Sequence, residues 1–388
     1  TTAPTAGTVN YNGSGAQNIG NYTYFNLSTS TGGIKTLPNA DIAVNGALTV
    51  SSSTLAFTSA QARTLTVAGD LSGNGTIDMS PGSRTHTLNL GGANNSIGAL
   101  TTAAVGSTVN YNRSGDQTIF ASPNYRNLTI SNSGTKSLSS DAVVGGDLNI
   151  NNTASFTLAA NLDFNGTTLS VGSTAANAFN ATAGTFNFSG GIQSVADIAG
   201  AGSITFYDVT AGGTGTKTFN RNLTIANNLV INDAVTLSLG NLTPTINVQG
   251  DMTVDGTLDF GTNNAKTFNL SGNLIDVSGN ISMTNYAHQL NLAGEYNAIS
   301  DFTTVSGSGS SVNYTGGSNQ QVFGSPNYEN LSISGGFVKI LQSNSTVKGT
   351  LTLTNGILRL GSSNLTITNT STSAIQGTFS SSNMIETD

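Results

Sequence analysis

The fold is decided by the stretch Gly7-Thr-Val-Asn-Tyr-Asn-Gly-Ser-Gly-Ala-Gln17-Asn-Ile19, because similar sequences occur three more times in the chain. The internal repeats start near residues 7, 106, 184 and 310. Repetition on this scale is typical of a solenoid, in which each structural unit contacts only its neighbours. The residues that mark the four copies are Tyr11, Tyr111, Phe188, Tyr314, Gln17, Gln117, Gln193 and Gln320.

Between these copies, apolar and polar residues alternate over short segments such as Thr64-Leu-Thr-Val67. A period of two predicts half-buried strands, and Gly, Asn, Asp and Ser supply turns between them. An apolar-x-Gly-x-apolar motif recurs at a constant step, at Val44, Val67 and Leu90. The sequence therefore predicts an all-β protein, a right-handed parallel β-helix (solenoid) with about 22–23 residues per coil.

The spacing of the repeats predicts one continuous domain. The intervals between their first strands differ by about one coil, and a solenoid gains or loses whole coils without rearrangement. We therefore expect residues 1–388 to form a single continuous β-helix, a rod that is a segment of a longer chain. The interval from Tyr111 to Val144 is longer than one coil by about half a coil. This surplus predicts a loop around Ser122–Leu128 that leaves the coil and returns.

Composition excludes several classes of function. The net charge is −7 and only 8% of residues are charged, which argues against nucleic acid as a partner. The chain has no Cys, and this fits an exported bacterial protein. It has no run of about 18 apolar residues, so no membrane-spanning segment is predicted. A secreted or cell-surface location is expected.

Candidates for catalysis are few. His86 and His288 lie in flanks that look unalike, and we expect each to be an exposed strand residue. A cluster of acids could serve as a glycosidase pair or a Ca²⁺ site, or could simply accept hydrogen bonds in turns. We predict no catalytic residue, no metal site and no cofactor. The cluster comprises Asp251, Asp255, Asp259 and Asp276.

The best candidates for contact with a partner recur in the repeats. Each of the four repeats has a lysine at a corresponding position, in segments such as Gly134-Thr-Lys136-Ser-Leu138. They could form a row of cations for acidic glycans, or could keep an exposed turn soluble and block edge pairing. The outward Thr and Asn side chains suggest ice binding as another option, although the Leu-Thr-Ile alternation predicts only one outward Thr per strand. The candidate contact positions are Lys35, Lys136, Lys217, Lys339, Tyr125 and Tyr328.

The wording of the repeats resembles that of β-helical repeats in very large Bacteroidota cell-surface proteins. The resemblance rests on the opening stretch, on Tyr125-Arg-Asn-Leu-Thr-Ile130, on Gly134-Thr-Lys136 and on Val44-Asn-Gly-Ala-Leu-Thr-Val50. It extends to the ending, Gly377–Ile385, and covers essentially the whole chain. It implies export by the type IX secretion machinery and a role in cell adhesion or gliding motility. It brings no catalytic residues.

Together these observations predict a structural or adhesive stalk without catalysis. Surface glycans or other cell-surface proteins are the expected partners, bound through many weak contacts along the repeats. A β-helical carbohydrate-active enzyme, either a polysaccharide lyase or a hydrolase, is the first alternative. An ice-binding surface protein is the second.

Overall fold

Short strands with alternating side chains build this protein, whose computed structural model describes residues 5–103, 105–122, 124–276 and 278–387. The structure is 47% strand and 1% helix. In Thr64–Val67, for example, Leu65 and Val67 are buried whereas Thr64 and Thr66 are partly exposed. The predicted all-β class and its period of two are confirmed.

Most strands contain three or four residues, and the described helical turn is the 3₁₀ segment Pro81–Ser83. The strands of the first half are β1 (Thr8–Tyr11), β2 (Gln17–Asn18), β3 (Asn26–Thr29), β4 (Ile34–Thr36), β5 (Ile42–Val44), β6 (Leu48–Val50), β7 (Thr54–Ala56), β8 (Thr64–Val67), β9 (Leu71–Ser72), β10 (Thr76–Met79), β11 (Thr87–Leu90), β12 (Ala99–Thr102), β13 (Thr108–Tyr111), β14 (Gln117–Thr118), β15 (Asn127–Ile130), β16 (Ser133–Leu138), β17 (Ala142–Val144), β18 (Leu148–Ile150), β19 (Thr153–Ala159), β20 (Leu162–Phe164), β21 (Thr168–Val171) and β22 (Phe179–Ala183).

The strands of the second half have similar lengths and spacing. They are β23 (Thr185–Phe188), β24 (Gln193–Val195), β25 (Ile204–Phe206), β26 (Asp208–Ala211), β27 (Gly215–Phe219), β28 (Leu223–Ile225), β29 (Leu229–Ile231), β30 (Val235–Ser238), β31 (Thr245–Val248), β32 (Met252–Val254), β33 (Thr257–Asp259), β34 (Thr267–Leu270), β35 (Leu274–Asp276), β36 (Asn280–Met283), β37 (Gln289–Leu292), β38 (Asp301–Thr304), β39 (Ser311–Tyr314), β40 (Gln320–Val322), β41 (Asn330–Ile333), β42 (Val338–Leu341), β43 (Ser345–Val347), β44 (Leu351–Leu353), β45 (Gly356–Arg359), β46 (Leu365–Ile367), β47 (Ile375–Gly377) and β48 (Asn383–Glu386).

Contacts divide the chain into two units, each of which is a parallel β-solenoid. The first unit comprises Thr1–Phe186 with Ile198–Ile204, and the second comprises Asn187–Asp197 with Thr205–Asp388. The two units together contain about 17 turns of solenoid. The parallel β-helix is thus confirmed, while its continuity from residue 1 to residue 388 stays a prediction.

In the first unit, strands separated by one turn of chain pair in parallel along separate faces. The hydrogen-bonded orders are β1-β3-β6-β9, β2-β4-β7-β10-β12, β5-β8-β11-β13-β15-β18-β21, β14-β16-β19-β22 and β17-β20. In the second unit the corresponding orders are β24-β27-β30-β33-β36-β38, β28-β31-β34-β37-β39-β41-β44-β47, β26-β29-β32-β35, β40-β42-β45-β48 and β43-β46.

The register of these pairs gives the coil lengths. Asn89 lies opposite Thr66, 23 residues earlier in the chain. Asn291 likewise lies opposite Asn269, 22 residues earlier. The coil that begins in each copy of the Val-Asn-Tyr strand is shorter, since Val109 already lies opposite Leu128. The predicted coil length therefore describes the longer coils only.

This short coil replaces the predicted excursion loop, and that prediction is wrong. Tyr111 stacks on Ile130, whereas Val144 stacks on Tyr125, so the interval from Tyr111 to Val144 joins two different columns and is not a coil length. The segment Asn127–Ile130 is strand β15 within its own coil. Of the predicted loop, Pro123 lies outside the described residues.

Inward side chains form the core of each unit. Leu65, Leu88, Val109 and Leu128 stack in one column, and each is at most 1% exposed. Burying one such side chain contributes about 1.5–3 kcal/mol. Columns of this kind explain how the fold is stable without disulfides, and they fix which residues of every strand can reach solvent.

Candidate functional site

Two of the recurring glutamines, Gln117 and Gln320, hold a Gly-rich turn against the preceding coil. Gln117 is buried, and its Oε1 accepts the N–H of Arg113 at 3.3 Å. Its Nε2 donates to the carbonyl oxygens of Leu90 at 2.7 Å and Gly92 at 2.8 Å. Gln320 makes the same three bonds to its own turn and preceding coil. Gln117 and Gln320 therefore link neighbouring coils.

A lysine of the next coil lies directly beside each of these glutamines. Gln117 pairs in register with Lys136, and Gln320 pairs with Lys339. The Nζ of Lys136 donates to the carbonyl oxygens of Arg113 at 2.8 Å, Gly115 at 2.6 Å and Ser133 at 2.6 Å. The Gln side chain thus accepts a backbone N–H of the turn, and the Lys side chain donates to backbone carbonyl oxygens of the same turn. We call this arrangement the Gln–Lys clamp.

The clamp occurs in all four repeats. Gln17 pairs with Lys35, and Gln193 pairs with Lys217. Lys217 donates to the carbonyl oxygens of Gly190, Gly191 and Thr214. The four lysines Lys35, Lys136, Lys217 and Lys339 are 0% exposed.

The expectation that these lysines face solvent is therefore wrong. Carbonyl oxygens, three at Lys136 and two at Lys339, replace the water that an ammonium group loses on burial, so the charge can lie inside the protein. The strand alternation contains this information, since Lys136 lies two residues before the buried Leu138 and so shares its inward side. As placed, the clamp lysines do not reach an acidic glycan.

Burial also changes the ionisation of the clamp. It lowers the pKa of Lys136, Lys217 and Lys339 to about 8, because the charged form has left water. At Lys136 the nearby carboxylate of Asp116 opposes this effect on the pKa. At neutral pH these lysines still carry a proton, and each supplies donors to its turn.

The two tyrosines predicted as contact positions, Tyr125 and Tyr328, each form a buried hydrogen-bonded pair with another tyrosine. Tyr125 and Tyr111 are buried, and their hydroxyl oxygens lie 2.8 Å apart. The Tyr125 hydroxyl donates to the carbonyl of Phe120 at 2.5 Å, and the N–H of Phe120 donates to the Tyr111 hydroxyl at 3.3 Å. This Tyr pair holds Phe120, which follows β14, against the core.

The Tyr pair recurs with the repeat. Tyr314 and Tyr328 have hydroxyl oxygens 3.2 Å apart, and Tyr314 accepts the N–H of Phe323 at 3.1 Å. Tyr11 and Tyr24 form the first copy, at 3.0 Å. Burial raises the pKa of Tyr111, Tyr125, Tyr314 and Tyr328. These residues lie inside the protein, so Tyr125 and Tyr328 present no surface to a partner.

Phe188 marks the third repeat differently, because it has no hydroxyl group. It is buried against the rings of Phe206 and Phe219, with centroids 6.1 and 5.6 Å from its own. The third repeat therefore keeps the Gln–Lys clamp and replaces the Tyr pair with an aromatic cluster.

The two histidines occupy equivalent buried positions, and the expectation that they are exposed is wrong. His86 and His288 are 0% exposed. The Nδ1 of His86 accepts the N–H of Arg63 at 3.1 Å, and the Nδ1 of His288 accepts the N–H of Lys266 at 3.2 Å. The sequences that follow the two histidines are in fact alike, since both read His-x-Leu-Asn-Leu. This shared motif indicates that the two rings occupy equivalent positions in the fold.

We expect acid to destabilise the protein through these histidines. Burial lowers the pKa of both His86 and His288, so the folded state holds them neutral. Below the ordinary histidine pKa of about 6.5, the unfolded chain binds more protons than the folded chain. The free energy of unfolding therefore decreases as the pH is lowered. Melting temperatures measured from neutral to mildly acidic pH test this. A His86→Gln/His288→Gln variant should show a flatter profile, and an equally steep one would contradict the assignment.

The four acids of the predicted cluster each bind a turn. Asp251 accepts the N–H of Asn273 at 2.7 Å, and Asp255 accepts the hydroxyl of Ser278 at 2.6 Å. Asp259 accepts the N–H of Gly261 at 3.0 Å. Asp276 accepts the N–H of Gly279 at 2.9 Å and the hydroxyl of Ser300. The interpretation as acceptors of local backbone N–H groups is confirmed for Asp259 and Asp276. Asp251 and Asp255 instead accept hydrogen bonds from residues of the next coil.

The residues that the structure describes define a parallel β-solenoid repeat protein. Within those residues, no group of three or more His, Asp or Glu is placed to hold a metal ion, and no helix is both long and apolar enough to cross a membrane. No protein family, curated protein or solved structure significantly matches the chain.

Proposed function

We propose that this protein is a non-catalytic structural or adhesive segment of a secreted or cell-surface protein. The observation that carries the proposal is the Gln–Lys clamp, which occurs four times. The scarce cations and the repeated amides tie turns to neighbouring coils instead of converging on a cleft. Such cross-links strengthen the nearest-neighbour contacts on which a solenoid depends.

The proposed cellular location and export route of the protein rest on the sequence resemblance. The repeats resemble those of Bacteroidota cell-surface proteins, and export by the type IX secretion machinery is part of the proposal. Adhesion would use many weak contacts with surface glycans or cell-surface proteins, since repeated modules gain affinity by multivalency.

Catalysis is tested by incubating the purified chain with a panel of neutral and acidic polysaccharides. We expect no release of reducing or unsaturated sugars above that of the heat-denatured protein. Release that disappears when Asp251 and Asp255 are both changed to Asn would contradict the proposal and favour a β-helical lyase or hydrolase.

Location is tested on intact cells of the source bacterium. An antibody against the chain should label unpermeabilised cells, and brief protease treatment should remove that label while a cytoplasmic marker stays intact. Labelling that requires permeabilisation would contradict the surface assignment without affecting the test for catalysis.

A further inference from the structure

One sheet face of the second unit presents only uncharged, non-aromatic side chains. It is formed by β31, β34, β37, β39 and β41, whose outward residues lie in register. The two columns within the strands, which we call the Asn/Thr face, are Thr245, Thr267, Gln289, Ser311 and Asn330, then Asn247, Asn269, Asn291, Asn313 and Ser332.

The central column of this face is a hydrogen-bonded asparagine ladder. The Nδ2 of Asn269 donates to the Oδ1 of Asn247 at 2.7 Å, and Asn291 donates to Asn269 at 2.6 Å. Asn313 continues the ladder to Asn291 at 2.6 Å. Because the inner amides are bonded above and below, their rotamers are already fixed, and binding a ligand would cost little further ordering entropy.

The first unit carries an equivalent face on β8, β11, β13 and β15. Asn110 donates to Asn89 at 3.1 Å, and Asn89 donates to the hydroxyl of Thr66 at 3.3 Å. These four-residue strands have two outward positions, and the expectation of one outward Thr per strand holds for β11, β13 and β15, whereas β8 has two, Thr64 and Thr66. The columns are Thr64, Thr87, Thr108 and Asn127, then Thr66, Asn89, Asn110 and Thr129.

Other faces of the second unit differ in chemistry. The face of β33, β36 and β38 carries Asp259 and Asp301, and β35 carries the exposed Ile275 beside Asp276. Charged side chains hold water in shells of their own, and they attract ions. The Asn/Thr faces contain neither charges nor the aromatic rings on which sugar rings commonly stack. Their chemistry therefore suits a flat, neutral, hydrogen-bonding partner.

Crystalline water is the partner that this geometry fits best. Strands in a sheet are spaced at about 4.8 Å, which is close to a short repeat of the hexagonal ice lattice. The hydroxyl and amide groups of the face follow that spacing over five registered strands in the second unit. Waters anchored to them would be held in a regular array.

We propose that the Asn/Thr faces bind ice. This inference goes beyond the structural role proposed above and does not depend on it, since a stalk without affinity for ice remains a stalk. The ligand is the ice surface itself, and the contact groups are the fixed amides and hydroxyls of the two faces.

The test measures ice recrystallisation and thermal hysteresis with the whole chain. We expect the wild type to inhibit recrystallisation, and Asn89→Lys/Asn291→Lys, which places one charge on each face, to lose that inhibition. The matched control is Thr49→Lys/Thr253→Lys, which adds the same charges at outward positions of β6 and β32 and should retain the activity. Circular dichroism and melting temperature establish that both variants are folded.

Three results would overturn the proposal. The first is a wild type without activity, and the second is a face variant as active as the control. The third is retention on insoluble neutral polysaccharide that the face variant loses while neither protein affects ice, since that result assigns the faces to a glycan.

Discussion

Replacing Lys136 with methionine is expected to lower the free energy of unfolding by about 3 kcal/mol. Methionine keeps most of the side-chain volume but removes the ammonium group that binds the carbonyl oxygens of Arg113, Gly115 and Ser133. An unsatisfied buried acceptor costs about 1–3 kcal/mol, and partial entry of water offsets some of the total. Urea denaturation followed by circular dichroism measures the change, and hydrogen exchange at the Gly115 amide reports it locally.

Lys348 provides the matched control for this substitution. It is half-buried, and its Nζ donates one bond, to the Oδ1 of Asn327 at 3.0 Å. Lys348→Met should change stability by less than about 0.5 kcal/mol, as substitutions near the surface usually do. Equal effects of the two lysine substitutions would mean that the clamp does not stabilise the fold.

Replacing Tyr125 with alanine is expected to lower the free energy of unfolding by about 4 kcal/mol. The substitution leaves a cavity beside Phe120, whose ring stacks on that of Tyr125 at 5.6 Å, and it removes the hydroxyl bonded to Tyr111. The shortened side chain also leaves the carbonyl of Phe120 without its donor. Urea denaturation again measures the loss.

Two further variants separate the parts of this effect. Tyr125→Phe removes only the hydroxyl and should cost about 1 kcal/mol. Tyr296, which is 59% exposed, is the control for the loss of a tyrosine, and Tyr296→Ala should be close to neutral. A Tyr125→Ala protein as stable as Tyr296→Ala would show that the Tyr pair is dispensable.

The strand pattern could be predicted from the sequence because burial follows a period of two. Leu65 and Val67 face inward as the alternation requires. The same alternation places Lys136 inward, but a lone lysine is usually exposed, and two of its acceptors come from a turn in the preceding coil. Pairing of that kind depends on coil length, which the local sequence does not specify.

The sequence also contains a longer repeat, which a search for single coils does not reveal. Tyr111, Gln117, Tyr125 and Lys136 recur in the second half, at one common interval, as Tyr314, Gln320, Tyr328 and Lys339. The histidines recur at nearly the same interval, as His86 and His288. Comparison at that interval reveals that their surroundings are alike, and two rings in equivalent contexts are more simply explained by packing than by chemistry.

The Gln–Lys clamp has a consequence for folding fidelity. Many coils carry interchangeable Leu, Val and Thr strands, so a nascent chain could close on the wrong neighbour by skipping a coil. At a clamp such an error would separate Lys136 from the carbonyl oxygens of Arg113 and Gly115, and a buried charge without acceptors costs several kcal/mol. Each clamp therefore favours the correct pairing of its two coils over a pairing that skips a coil. The four clamps would thereby specify the pairing of coils at four places along a repetitive sequence.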